Sequence, residues 1–227
     1  MKTKFGAIIV AGSGKIGGHV ASKNRSGSYL RTKVTPVNRN SNAQIAVRGR
    51  LSSIAKAWRS LSAAAVKAWN SAVSDYSGTD IFGDVKNPTG FCLYQKLNNN
   101  SLRCGGAAIT LPPLPIGVGY ATALSATATH AGVMSIVFAP TPVAADNALE
   151  IRATKAMSAG VSFVKSEYRI IGKVAAAGTS PYDAAAAYIA VFGSIGAAGE
   201  KIFFEVQECA LTTGQMGAKI QTSCIIS

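Results

Sequence analysis

Eight cations fall between Lys15 and Arg50, and no carboxylate stands among them: Lys15, Lys23, Arg25, Arg31, Lys33, Arg39, Arg48 and Arg50. Ammonium and guanidinium groups without counter-charges of their own are suited to holding carboxylates or phosphates. Tyr29 and Leu30 interrupt the run and could fill an apolar pocket beside such anions. Residues 1–104 carry 16 Lys and Arg against three acids, Asp75, Asp80 and Asp84, whereas residues 105–227 carry seven of each sign. The whole net charge of +13 therefore lies in the first half. A merely solvated face mixes both signs, because like charges repel unless something acidic sits opposite. The stretch reads as a surface for a negative partner: nucleic acid, a membrane surface or an acidic protein.

Other residue types that could do chemistry form no constellation. "AGSGKIGG", residues 11–18, has the texture of a phosphate loop, but Ile9 and Ile16 stand where that motif needs Gly and Ser or Thr. His19 and His130 lie far apart, outside any HExxH or triad-like setting. Carboxylates are too scattered to suggest an acid and base pair. Cys92, Cys104, Cys209 and Cys224 lack zinc-site spacing and read as cytoplasmic thiols packed as small hydrophobes, with Cys209 and Cys224 possible neighbours on adjacent strands. No catalytic, cofactor or metal site is expected, and the chain is read as not an enzyme. Base-reading modules are absent too, so any DNA contact would go to phosphates and be salt-sensitive. There is no run of 18 apolar residues, which speaks against a membrane span, and "FGAIIVAG" near the start is too short for a secretory signal core, so Met1 is read as a mature N-terminus.

These residues must be positioned by four stretches. Residues 1–41 are rich in Gly, Ser, Asn and cations and read as an extended basic arm that orders only against a neighbour. Residues 42–104 read as helical. Val47, Leu51, Ile54, Trp58 and Leu61 mark one helix over 42–59, and Ser62 caps a second over 62–74 with Leu61, Ala65, Trp69 and Val73 on one face, the two forming a hairpin or a bent rod. A third helix is expected over 88–102, with Pro88 in its first turn. Residues 105–117, with Pro112, Pro113 and Pro115, form an extended linker. Residues 118–227 hold about seven short alternating runs, including "AAYIAVFG" over 186–193 with a helical turn allowed at 181–187. That is the arithmetic of an antiparallel immunoglobulin- or fibronectin type III-like β-sandwich. The fold class is multi-part α+β.

The segments "GKIGGHVASKNRSGSYLRTKVTPVN", "AWRSLSAAAVKAWNSAV" and "DIFGDVKNPTGFCLYQKLNNN" resemble the N-terminal pattern of a group of tailed-phage proteins, notably from phages of Bacteroidetes and crAss-like relatives. "GEKIFFEVQECALTTGQMGAK" resembles the last hairpin of the fibronectin type III-like domain that follows this pattern. The resemblance covers residues 14 to about 100 well and the sandwich more loosely; where the family continues "TPVN" with Pro, this chain has Arg39. It implies a virion structural component, assembled in the host bacterial cytoplasm. The reading that joins this to the charge is an auxiliary or decoration component of the phage head. Its arm and helices would dock on other virion proteins, the major capsid protein foremost, or on copies of itself, with Lys15, Lys23, Arg25, Arg31, Lys33, Arg39, Arg48 and Arg50 as anchors. The alternatives are a DNA-binding protein inside the head, and a tail or fibre component whose sandwich binds a receptor or glycan. Against the last, the sequence shows no cluster of aromatics of the kind sugars stack on.

Overall fold

The computed structural model describes residues 2–3, 12–24, 27–119 and 121–227. It is a mixed α+β structure with helices and several antiparallel sheets.

The arm differs from a bare extended segment. Strands β1 (Lys2–Thr3), β2 (Gly14–Ile16), β3 (His19–Asn24) and β4 (Gly27–Thr32) pair antiparallel in the order β1-β4-β3-β2. A two-residue turn joins β2 to β3, with Gly17 at φ +57°, a value that matches the twist of a tight hairpin. The Lys33 N–H donates to the Gly18 carbonyl and extends the ladder beyond β4. The sheet escapes a pattern search because it buries almost nothing. Ala21 is its one buried apolar side chain among the described residues, so no period-two apolar face is written into the sequence.

The helices follow their caps. Helix α1 (Asn42–Arg59) starts at Ser41, whose Oγ accepts from the Gln44 N–H, and ends with Lys56 and Arg59 beside its free carbonyls. Helix α2 (Ala63–Ser71) starts at Ser62, whose side chain accepts from the Ala65 N–H, and runs into a 3-10 turn over Ala72–Tyr76. Helix α3 (Gly90–Cys104) is capped by Thr89 and stopped by Gly105 at φ +98°, so Pro88 precedes the cap instead of occupying the first turn. Between α2 and α3 the short strands β5 (Gly78–Thr79) and β6 (Val85–Lys86) pair with each other. The helices share a core of Ile54, Trp69, Leu93, Tyr94 and Leu97, in which Trp69 meets Tyr94 edge to face at 5.2 Å. The apolar stripe of α1 is only half used: Ile54 is buried, whereas Val47 and Leu51 are 44% and 39% exposed.

Seven strands follow: β7 (Ala123–Ala128), β8 (Met134–Ala139), β9 (Asn147–Ala153), β10 (Arg169–Val174), β11 (Tyr182–Asp183), β12 (Lys201–Ala210) and β13 (Met216–Ile225). They form two antiparallel sheets, β10-β9-β12-β13 and β11-β8-β7. Alternate side chains from both sheets enter one core, with Met134, Ile136 and Phe138 from one and Leu149, Ile151, Phe204 and Val206 from the other. The run expected to be a strand at 186–193 is instead helix α4 (Ala185–Phe192). Its alanines favour helix, and helical spacing lets the buried Tyr188 stack on Phe192 while its hydroxyl donates to the Thr154 carbonyl.

Between helices and sheets, residues 105–117 contain no helix or strand and are held on both sides. Trp69 Nε1 donates to the Thr110 carbonyl and the Tyr76 hydroxyl to the Pro113 carbonyl, while Gln215 exchanges hydrogen bonds with the Ile116 N–H and the Leu114 carbonyl. In the turn joining β12 to β13, Gly214 (φ +66°) lies so close to the Leu97 carbonyl of α3 that a Cβ would overlap it. Asn100 Nδ2 donates to the Gly214 carbonyl and fixes the approach.

Candidate partner interface

Register sorts the arm's cations onto two faces. Residues directly opposite each other in an antiparallel sheet point the same way. Lys15, Val20 and Arg31 form one such row, and Ser22 and Tyr29 belong to the next row on the same face. Lys15 and Arg31, two strands apart, are separated by about 10 Å with Val20 between them. The other face carries Ile16 and His19, then Ala21 and Leu30, then Lys23. Tyr29 and Leu30 are half-buried and point to opposite faces, so one pocket cannot take both. Lys15, Lys23, Arg31, Lys33 and Arg39 are exposed; Arg25 lies outside the described residues. Among the described helices and strands, these four pack extensively only on one another.

Two expected anchors have work inside the chain. Arg48 Nη2 donates to Asn38 Oδ1 at 2.8 Å and Nη1 to Asn40 Oδ1 at 3.1 Å, bracing the corner where the arm enters α1. Asn40 sits there at φ +47°, a conformation that asparagine tolerates better than most residues. Arg50 Nε donates to Asn99 Oδ1 at 2.7 Å and ties α1 to α3. Near this corner in sequence lie exposed apolar groups absent from the set of expected anchors: Val34, Val37 and Ile45 are 70%, 81% and 54% exposed, and Val47 and Leu51 are partly exposed on a different side of α1 from Ile45. The sequence marked Val47 and Leu51 only as part of a helical stripe, which by itself indicates a core, and gave no signal for Val34, Val37 or Ile45. The result is a cationic surface with apolar groups set into it, the composition of an interface rather than of plain solvent-facing backbone.

The remaining charges serve the structure. Glu150 and Glu205, nearly fully buried on the outer face of β9 and β12, pair with Arg103 and Arg152 and with Arg152 and Lys219, respectively. Burial alone would raise the Glu205 pKa, but hydrogen bonds from Gln221 and Lys219 and the charges of Lys219 and Arg152 outweigh it and hold the carboxyl below its ordinary value. His19 is exposed on β3, and His130 Nδ1 lies 2.6 Å from the Gly196 carbonyl oxygen, far from it in the fold's other half. Among the described residues no three His, Cys, Asp or Glu side chains gather as a metal site would require.

The C-terminal sheets and the loops around them carry a second concave region. A cavity of about 490 Å³ includes Lys155, Tyr168, Arg169 and Phe192 in its lining, and one of about 200 Å³ includes Phe163, Tyr168 and Phe203. The fold thus gathers aromatics that are dispersed in the sequence, with Phe163 72% exposed and the Arg169 guanidinium 5.6 Å above the Phe192 ring. Burial, with the Glu205 charge, pushes the Tyr168 hydroxyl up from its usual pKa.

No protein-family model matches the chain, and neither a curated protein nor a solved structure matches it.

Proposed function

We propose that the chain is a structural component of a tailed-phage particle, an auxiliary or decoration component of the head. In this reading the arm and the first half of α1 dock on an acidic surface of neighbouring particle proteins, the major capsid protein foremost. The two C-terminal sheets, an immunoglobulin- or fibronectin type III-like sandwich, are displayed. Support for the sandwich comes from three antiparallel hairpins, β7–β8, β9–β10 and β12–β13, whose connections cross between a three-stranded and a four-stranded sheet around one core. The observation that carries the function is the register: Lys15, Arg31 and Tyr29 share one face of a sheet that, among the described helices and strands, packs extensively on none but its own, in a stretch without a single acid.

Reversing both charges on that face, Lys15→Glu with Arg31→Glu, should lower the number of chains per purified particle by about tenfold or more. Lys23→Glu, on the opposite face, should leave it near normal. Normal incorporation of the double variant overturns the anchoring. Should the purified chain instead bind duplex DNA at physiological salt and lose it steeply above, the internal DNA-binding reading takes its place.

A further inference from the structure

Cys209 and Cys224 stand at opposite ends of the β12–β13 pair, Cys209 opposite Met216 and Cys224 opposite Ile202, so they are not the neighbours that the sequence allowed. The neighbour of Cys209 is Cys104, the last residue of α3. Both side chains are buried, at 3% and 0% exposure, in a cluster with Ala148, Leu211 and Met216 where the helical region meets the outer face of the β9–β12 sheet. The two thiols belong to the same cluster, Cys209 Sγ lies 3.8 Å from the Asn100 and Ala210 carbonyls, and all four cysteines are free.

We propose that Cys104 and Cys209 are a modification site, a dithiol that a small peroxide closes into a disulfide joining helix α3 to strand β12. Three features point this way. First, the two thiols lie in one small buried cluster where the end of helix α3 meets strand β12, so the partners of the link are already gathered at the junction. Second, a cavity of about 230 Å³ lies beside them. Asn100, whose carbonyl is 3.8 Å from Cys209 Sγ, lines it, as does Met216, and the cavity is ample for an oxidant little larger than water. Third, the pair is polarised. The neighbouring Cys209 thiol, aided by the adjacent Arg103 guanidinium, holds the Cys104 thiol below its ordinary pKa, while the Cys104 thiol and burial push Cys209 up. Cys104 is therefore the thiolate that reacts first. It attacks one peroxide oxygen, the O–O bond breaks, and the departing hydroxide takes up the thiol proton as water, leaving a sulfenic acid on Cys104. Cys209 then attacks that sulfur; the S–S bond forms, the S–O bond breaks, and the hydroxyl leaves with the Cys209 proton as a second water. Two electrons pass from the sulfurs to the peroxide. The proposal does not depend on the phage reading.

The test treats the full native chain with hydrogen peroxide, blocks remaining thiols with N-ethylmaleimide in denaturant, and maps non-reduced tryptic peptides. The expected product has lost two blockable thiols and two hydrogens, with the Cys104 and Cys209 peptides linked and Cys92 and Cys224 alkylated. Its urea midpoint should rise and return on reduction. Cys104→Ser should abolish both the link and the rise, and Cys92→Ser should retain them. If Cys104 and Cys209 both remain alkylatable while the circular dichroism stays native, or are oxidised separately to sulfinic acids, the proposal is wrong. The peptide map of the unmutated chain decides this even if Cys104→Ser fails to fold.

Discussion

The arm and the sandwich are both antiparallel β structure, yet they are stabilised differently. Each sheet of the sandwich covers the other, and Ile136, Ile151, Ile202 and Phe204 are all but sealed from water. Among the described residues the arm sheet shows no such cover: only Ala21 is buried, and Ile16 is 63% exposed. Hydrophobic burial is the dominant favourable term in folding, so the sandwich can hold itself while the arm is left with ladder hydrogen bonds that compete with water. The lesson is that a regular sheet need not be a folded core. It can be a shape kept ready for a surface supplied from outside.

The contrast can be broken at its strong end first. Phe204→Ala should cost about 3–5 kcal/mol of unfolding free energy, measured by urea titration, because the enclosed core cannot collapse around the void. A loss below about 1 kcal/mol would mean that the two sheets are not packed as described. A smaller effect concerns acid. The Glu205 carboxyl is depressed in the folded chain, so its contribution is complete above the unfolded value near 4.3 and is lost as pH falls through the lower folded value. Glu205→Gln should therefore flatten the fall of the urea midpoint below about pH 4.3, and an unchanged slope would remove Glu205 from the network. The smallest effect belongs to the arm's corner. Arg48→Ala should change global stability by less than about 1 kcal/mol while speeding proteolysis within residues 33–41, since it frees Asn38 and Asn40 without opening any core.

Which parts were legible follows from the same contrast. Helix α1 was readable because Val47, Leu51, Ile54 and Trp58 recur at helical spacing, and α2 because Ser62 marks its start; the Ser41 cap of α1 emerged only in the structure. The sheets around the main core were readable because half-buried strands alternate. The arm sheet was not, since exposed strands have no alternation to read. Residues 186–193 misled because a short, wholly apolar run suits strand and helix alike, and the alanines decided for helix. The cations were visible as a set, but their division was not: only register separates Lys15 and Arg31 from Lys23, and only three-dimensional contact shows Arg48 and Arg50 occupied by asparagines. The pairing of Cys104 with Cys209 joins positions far apart in the chain and carries no local mark at all.

The close seat of Gly214 on Leu97 has a geometric consequence. A hairpin tip that admits no side chain leaves the sandwich no room to swivel about the helix it rests on. Under the proposed docking, copies gripping equivalent sites through their arms would then hold their C-terminal sheets along one bearing, an ordered outer layer rather than a blurred fringe.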